Sequence, residues 1–371
     1  MWAGALTAAW PAAVGAVVRH EAAVPLGAGD VGQPAPAPPP GPPSGPPPPP
    51  SARTAPRAEV RVHERQVRRD AESGWVDSEV IVRQFKGGEG ITLDLLNMLG
   101  DVVVVGSRGR EGRLSIVRRV RGHGPETDAM LKAFSIDVEE GANRVAVRTS
   151  MPRPPQPPQP PRRGYRPRVR TDYEIALPSG TALELKNMQG NVRLTNLGGD
   201  VRVEAMAGDV VGEALSKVRM LRSMSGDVML SRSVVEGDAN LQSVSGNVVA
   251  SGVKAESLTM GTVSGNVQVT SSSSGRALLR TVSGDIEFAS SPRKAGRYEL
   301  KTHAGDIVVF TGGGGFEFEA TAFKGDVRSD VPTHPGAQGS RQVRGSVGDG
   351  SAFFDLASFT GDIRVVKKEE R

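Results

Sequence analysis

The sequence predicts an all-β protein, a right-handed parallel β-solenoid with about 19 residues per rung. Three observations predict this fold. A Gly followed by Asp or Asn and then by Val or Ile recurs at nearly constant spacing through the second half of the chain. Short segments with period-2 alternation flank each of these glycines. No repeat contains an apolar pattern at helical spacing, which excludes a solenoid built from helices.

The repeated tripeptide defines the period. It occurs at Gly190, Gly208, Gly226, Gly246, Gly265, Gly284, Gly305, Gly325 and Gly361. A degenerate copy, Gly345-Ser346-Val347, fills the one long gap, and the steps then average 19 residues. A constant period of this size is typical of solenoids, and ten stacked rungs predict a length of about 48 Å.

The glycine has a physical role in each rung. The chain must turn between two strands within two residues, as between Leu279–Val282 and Ile286–Phe288. Glycine adopts a positive φ without steric cost, and Asp or Asn tolerates such turns and bonds to nearby backbone. A single rung cannot bury its own apolar face, so the core forms only by stacking, and crossovers of this kind are almost always right-handed. Gly199-Asp200-Val201 predicts a second, weaker turn on the opposite edge.

Composition divides the chain into five segments. Residues 1–74 form a leader and a Pro-rich spacer, 75–150 an N-terminal β segment, 151–170 a Pro- and Arg-rich linker, 171–366 the solenoid, and 367–371 a charged tail. The first 18 residues are apolar and uncharged but are interrupted by Pro11, which suggests a degenerate export signal or an unstructured leader. Residues 33–50 are almost entirely Pro, Gly, Ala and Ser, so we expect a disordered, extended spacer.

The N-terminal segment is predicted to contain short strands and one helix. Strands are expected at residues 80–82, 91–93, 102–105, 136–138 and 145–147. A short helix is expected over residues 126–134, because Met130, Leu131 and Phe134 would share one face.

These motifs together resemble the bacterial putative adhesin family, a β-strand-repeat domain of unknown function. The resemblance covers about residues 77–366 and rests on Asp172–Pro178 with Gly180, on Leu183–Leu185, and on the serial Gly-Asp/Asn-Val/Ile units. Phe85, Ile91–Leu93 and Gly100–Val102 fit the opening of that family. The resemblance implies a β-solenoid in the cell envelope and supplies no established catalytic residues. The chain departs from the family pattern in its Arg-rich first part and in its Pro-rich insert.

Several chemistries find no support in the residues. The chain has no cysteine, so thiol nucleophiles, disulfides and Cys-ligated metals are excluded. There is no G-x-S-x-G elbow and no phosphate-binding loop, and the five histidines are scattered. The repeated Asp and Asn residues are best explained as turn formers, with metal binding or a polysaccharide-active site as alternatives. We therefore expect no catalytic residue, cofactor or metal, and a protein that is not an enzyme.

Charge suggests where a partner would bind. Residues 51–170 hold 23 Lys and Arg against 15 Asp and Glu, whereas residues 171–371 hold 22 against 24. The densest basic tract predicts contact with an anionic envelope polymer, glycan or host or matrix surface, and it contains Arg162, Arg163, Arg166, Arg168 and Arg170. The tract has only one aromatic residue, Tyr165, so specific nucleic-acid binding is not expected.

Two functions remain open from the sequence. The first is an extracytoplasmic, non-enzymatic protein that displays its repeated surface in the manner of an adhesin. The second is a self-assembling envelope or cytoskeletal scaffold, formed by stacking of open solenoid ends. The charged residues 367–371 would discourage such stacking and so favour display.

Overall fold

Almost every described residue lies in or between β-strands. The computed structural model describes residues 61–63, 75–121, 128, 131–150, 169–312, 314–333 and 341–367. All of the described residues belong to one compact unit, within residues 56–371.

The strands follow one another with short connections. The first seven are β1 (Arg61–His63), β2 (Trp75–Lys86), β3 (Thr92–Asn97), β4 (Val102–Ser107), β5 (Glu111–Arg121), β6 (Ser135–Glu140) and β7 (Arg144–Ser150). The next ten are β8 (Val169–Pro178), β9 (Ala182–Gln189), β10 (Val192–Thr195), β11 (Asp200–Ala207), β12 (Val210–Glu213), β13 (Lys217–Ser225), β14 (Val228–Ser231), β15 (Asp238–Ser245), β16 (Val248–Ser251) and β17 (Lys254–Ser264). The last ten are β18 (Val267–Thr270), β19 (Ser273–Ser283), β20 (Ile286–Ala289), β21 (Arg297–Ala304), β22 (Ile307–Thr311), β23 (Phe316–Lys324), β24 (Val327–Ser329), β25 (Gln342–Val347), β26 (Ala352–Thr360) and β27 (Ile363–Lys367).

Each rung contributes one strand to each of two facing sheets, which gives a β-solenoid-like architecture. Sheet A has 14 strands in the order β1-β2-β5-β8-β4-β10-β12-β14-β16-β18-β20-β22-β27-β24. Sheet B has 13 strands in the order β25-β23-β26-β21-β19-β17-β15-β13-β11-β9-β3-β7-β6. The pairing from β10 to β20 and from β9 to β21 is parallel throughout. The predicted all-β class and stacked strands are thus confirmed.

The N-terminal segment shares both sheets with the repeats. Strand β3 pairs in parallel with β9, and β4 pairs in parallel with β10, so Gly100 begins a turn of the same stack. Strand β8 lies between β5 and β4, and it begins at Val169, two residues before the predicted solenoid. Four of the five predicted short strands fall inside observed strands, and the strand predicted at 91–93 begins one residue before β3. Of the predicted helix, residues 128 and 131–133 are helical, while Met130 lies outside the described residues.

The C-terminal end departs from simple sequential stacking. The last rung, β26–β27, lies between the rungs β21–β22 and β23–β24. The predicted turn at Gly345 is wrong, because Gly345 lies within β25, which pairs antiparallel with β23. A Cβ at Gly345 would overlap the ring of Phe318. The glycine at this position therefore permits close packing against an aromatic ring and does not mark a rung.

The core is a continuous column between the sheets. Inward positions alternate with outward ones, and they carry mainly Val and Leu, such as Val228 and Leu241. Near the C-terminal end, Tyr298 stacks on Phe354 with ring centroids 4.5 Å apart, and Phe288 packs against both rings. Because parallel neighbours repeat at a fixed spacing, every outward position of a rung also forms a column on the surface.

Candidate functional site

The turns between sheets B and A form one edge of the protein, and their Asp and Asn side chains make a hydrogen-bonded ladder. The Oδ1 of each residue accepts the backbone N–H of the Asp or Asn on the next rung, at 2.7–3.0 Å. In stack order the ladder contains Asp172, Asp101, Asn191, Asp209, Asp227, Asn247, Asn266, Asp285, Asp306, Asp362 and Asp326. These side chains hold rungs together, as a structural turn residue should.

Each turn needs a glycine because the neighbouring rung lies too close for a side chain. Gly208 has a φ of 125°, which L-residues with a side chain rarely adopt. A Cβ at Gly208 would overlap the carbonyl oxygen of Gly190 on the neighbouring rung. The N–H of Gly208 donates to the carbonyl of Ser225 on the opposite side, at 2.8 Å. Close contact between successive turns therefore excludes any side chain here.

A buried hydroxyl completes each turn. Three residues before the glycine, most rungs place Ser or Thr inward, and its hydroxyl donates to the glycine carbonyl of the preceding rung. Thr281 donates to Gly265 O at 2.9 Å, and Thr302 donates to Gly284 O at 3.0 Å. Asn187 fills the same position near the N-terminal end and donates to Gly190 O at 2.7 Å.

The ladder offers little to a metal ion. Its Oδ1 atoms already accept backbone N–H groups, and three of its members are asparagines. Within the described part of the chain, no three His, Asp or Glu side chains form a group that could hold a metal ion. The geometry supports the turn-forming interpretation of these residues over the metal-binding alternative.

The same edge carries a continuous line of exposed or half-buried side chains, nearly all apolar, two residues before each glycine. We call this line the apolar ridge. In stack order it consists of Met98, Met188, Met206, Met224, Val244, Val263, Val282, His303, Phe359 and Phe323. Met206 is 48% exposed, Val263 49% and Phe323 54%. Nine steps of about 4.8 Å make the ridge about 43 Å long.

The ridge changes in chemistry along its length. It begins with four methionines, continues with three valines and ends in an aromatic stack. Phe359 stacks between His303 and Phe323, with centroid distances of 4.7 and 4.9 Å. The ammonium of Lys324 lies 5.7 Å from the Phe359 ring centroid, close enough for a cation–π contact.

Opposite charges border the ridge on its two sides. Two residues before each ridge residue, on the outer face of sheet B, lies a position that we call the basic column. Of its ten positions, five are uncharged, Glu204 is acidic, and four are basic, namely Lys186, Arg222, Arg280 and Lys301. On the other side lies the ladder, which has seven Asp and three Asn on the ten ridge rungs. The ridge therefore has a basic margin and an acidic margin.

The predicted basic tract lies largely outside the described residues. Arg162, Arg163, Arg166 and Arg168 are not described. Arg170 lies in β8, and its guanidinium is 3.2 Å from Asp172 and 5.2 Å from the Trp75 ring centroid. Burial raises the pKa of the Asp172 carboxyl, while the N–H of Asp101 and the charges of Arg170 and Arg119 oppose that rise.

The apolar ridge was not predicted from the sequence, because the glycine and the residue after it form the more regular pattern. The signal was present in the sequence, since the second residue before each repeat glycine is Met, Val, His or Phe without exception. Alternation alone assigns these residues to the outward face, which sequence reasoning expects to be polar. An apolar residue at a repeated outward position is the informative exception.

The fold and its ladder-bound edge define a non-globular class, the β-solenoid-like repeat proteins. A family model described as Toastrack DUF4097 matches residues 158–366, and the chain belongs to that family. The predicted resemblance to a putative adhesin family of unknown function is thereby confirmed.

Three solved structures are distantly similar to this chain. A putative adhesin from Bacteroides fragilis is 17% identical, with 77% of this chain and 97% of that chain covered and a TM-score of 0.36. A putative adhesin from Parabacteroides merdae is 12% identical, with 77% and 96% covered and a TM-score of 0.39. A putative lipid binding protein from Parabacteroides distasonis is 15% identical, with 77% and 96% covered and a TM-score of 0.36.

A search of curated proteins gave no match. Among the described residues, no helix combines the length and the apolar character that crossing a bilayer requires.

Proposed function

We propose that this chain is a non-enzymatic protein of the cell envelope or surface that uses the apolar ridge as an adhesin-like binding edge. One observation carries the proposal: nine of the ten ridge residues are Met, Val or Phe, and they lie in one line at the surface. Soluble monomers rarely expose contiguous apolar patches larger than a few hundred Å², and larger ones usually mark contact sites.

The rigidity of the edge supports binding. Six of the ten ridge residues sit between a buried hydroxyl that bonds the neighbouring turn and a glycine that admits no side chain, as Val282 does between Thr281 and Gly284. The backbone under the ridge is therefore fixed before a partner arrives, which reduces the entropy lost on binding. We also propose that the solenoid is right-handed, with a mean of about 19 residues per rung.

A second contact is proposed for the basic tract. Arg162, Arg163, Arg166 and Arg168 would attract an anionic envelope polymer or glycan and bring the ridge to its surface. Changing these four residues to Ser should weaken binding to lipoteichoic acid or heparin, measured at low and at physiological salt. Unchanged binding of both probes would overturn this part of the proposal.

The ridge itself is tested by binding of the full chain to a purified envelope preparation from the source cells. A variant with Met206→Ser, Met224→Ser, Val263→Ser and Val282→Ser should bind at least tenfold more weakly. The matched control changes two exposed apolar residues outside the ridge, Met229→Ser and Val105→Ser, and should stay within twofold of the unmodified chain. Equal binding by both variants would contradict the proposal.

A further inference from the structure

The two charged margins of the ridge restrict how a partner can lie on it. The basic column has four Lys or Arg against one Glu, and the facing ladder has seven Asp on the same ten rungs. Beside the methionines this excess is partly offset, because Glu204 lies between Lys186 and Arg222 on adjacent strands. Farther along, Arg280 and Lys301 share their charge with Glu299 at 2.7 and 2.9 Å.

A second copy of the chain offers a matching surface in one orientation. A twofold axis parallel to the stacking direction turns one ridge to face the other with both solenoids running the same way. This rotation exchanges the two margins, so the basic column of each copy faces the acidic ladder of its partner. A twofold axis perpendicular to the stacking direction instead places acidic ladder against acidic ladder, which is unfavourable.

The parallel arrangement also keeps the ridge in register. Methionine then meets methionine, valine meets valine, and the aromatic stack of Phe323 and Phe359 meets its copy. Such a contact is isologous, the commonest kind in homodimers. A strip that is about 16 Å wide, from the basic column to the ladder, and about 43 Å long would bury roughly 1,400 Å² in total, within the range of specific interfaces.

We infer that the partner of the apolar ridge is the ridge of a second copy of this chain, aligned in parallel. The inference rests on the proposed function and names the partner of that same site, so that the contact would be homophilic. A contact of this size lets parallel copies on one surface join side by side, without stacking of solenoid ends.

The test uses the absence of native cysteine in the chain. Two single-cysteine variants of the full chain, Met224→Cys and Val282→Cys, are oxidised separately and as a mixture. In the parallel arrangement each variant forms a disulfide with its own copy, and mixed dimers between the two variants stay rare. In the perpendicular-axis arrangement the mixed dimer prevails. Ser251→Cys, an exposed residue at the far end of the short strand β16, is the control and should remain uncrosslinked.

A charge variant gives a second readout that does not depend on cross-linking. Asp209→Asn, Asp227→Asn and Asp285→Asn together keep the Oδ1 acceptors of the ladder and remove three charges. Sedimentation velocity should show a dimer for the unmodified chain and a dissociation constant at least fivefold higher for the variant. Thermal unfolding of all variants checks that they fold.

The outcomes separate this inference from the proposed function. A chain that stays monomeric at 100-fold the concentration used for envelope binding, or that gives mixed disulfides, overturns the parallel dimer. If the ridge variants still lose envelope binding in that case, the proposed function stands without it. If dimers form as expected but the Ser-substituted ridge binds envelope normally, the proposed function fails while the dimer stands.

Discussion

The backbone N–H of Asp362 donates to Oδ1 of Asp306 at 2.8 Å, although 56 residues separate them in the chain. The next bond of the ladder runs from the N–H of Asp326 to Oδ1 of Asp362, at 3.0 Å. The chain therefore forms the rung β23–β24 before the rung β26–β27, with β25 between them in sequence. The later rung β26–β27 lies between β21–β22 and β23–β24 in the stack. The order of the stack differs here from the order of the sequence.

This insertion makes the last rung a structural bridge. Deleting residues 352–371 should expose the edges of β21 and β23, because both pair with β26. We expect amide hydrogen exchange in residues 316–324 to accelerate at least tenfold. Deleting residues 368–371 alone is the control and should change little. Unaltered exchange after the larger deletion would show that the inserted rung does not hold this end together.

The ladder predicts a difference between two substitutions at one site. Asp227→Asn keeps an Oδ1 that can accept the N–H of Asn247, now at 2.7 Å, whereas Asp227→Ala removes it. Loss of one hydrogen bond of this kind should lower the free energy of unfolding by about 1 kcal/mol, and the Asn variant should stay within about 0.5 kcal/mol. Urea unfolding of the three proteins measures this difference. Equal stability of the Ala and Asn variants would show that the ladder contributes nothing.

The turn glycines predict a larger effect. Gly208→Ala must accommodate a methyl group against the carbonyl of Gly190 and a φ of 125°. The change should cost about 3 kcal/mol or more. Gly261→Ala is the matched control, since the nearest atom to its added Cβ is 3.8 Å away. Similar melting temperatures for the two variants would contradict the proposed close contact between turns.

Alkaline pH should destabilise the N-terminal end through one tyrosine. Tyr173 is buried and hydrogen-bonds to Thr149. Burial raises its pKa to about 12, above its ordinary value of 10.0, despite opposing effects of Thr149 and Arg118. The folded state therefore holds this proton more tightly than the unfolded state does. The resulting stability is fully present below pH 10 and is lost as the pH rises towards 12, by up to about 3 kcal/mol.

The control for this effect removes the ionisable group. Tyr173→Phe loses the hydrogen bond to Thr149 at every pH, so the comparison concerns the slope and not the absolute stability. Unfolding by urea at pH 9 and pH 11.5 should show a smaller decline for the Phe variant. Parallel declines in the two proteins would assign the alkaline loss to other groups.

The fold was largely readable from the sequence because its repeat is enforced locally. Because each turn glycine touches the glycine of the neighbouring rung, few residues other than Gly followed by Asp or Asn fit the turn. The turns at Gly226 and Gly284 can therefore be recognised in the sequence. The stacking order was not readable, since any Gly-Asp turn can accept the N–H of any other. Gly345 resembled a turn but serves packing against Phe318, which only the paired strands reveal.

The candidate site was less readable for a different reason. An exposed apolar residue such as Val263 looks in sequence like an ordinary strand residue, and its exposure depends on which face of the strand is buried. Arg170 shows the opposite error, because it reads as a free charge in a basic tract but lies beside Asp172 and Trp75. Long-range packing decides both cases.

The central claim is that the apolar ridge is a contact surface, and methionine oxidation tests it most directly. Met224, on the ridge, and Met229, on the outer face of sheet A, are both 37% exposed. Dilute hydrogen peroxide should oxidise them at similar rates in the free, dilute chain. When the full chain is bound to envelope, mass spectrometry should show oxidation of Met188, Met206 and Met224 slowed at least fivefold relative to Met229. Equal oxidation of Met224 and Met229 in the bound state would contradict the claim.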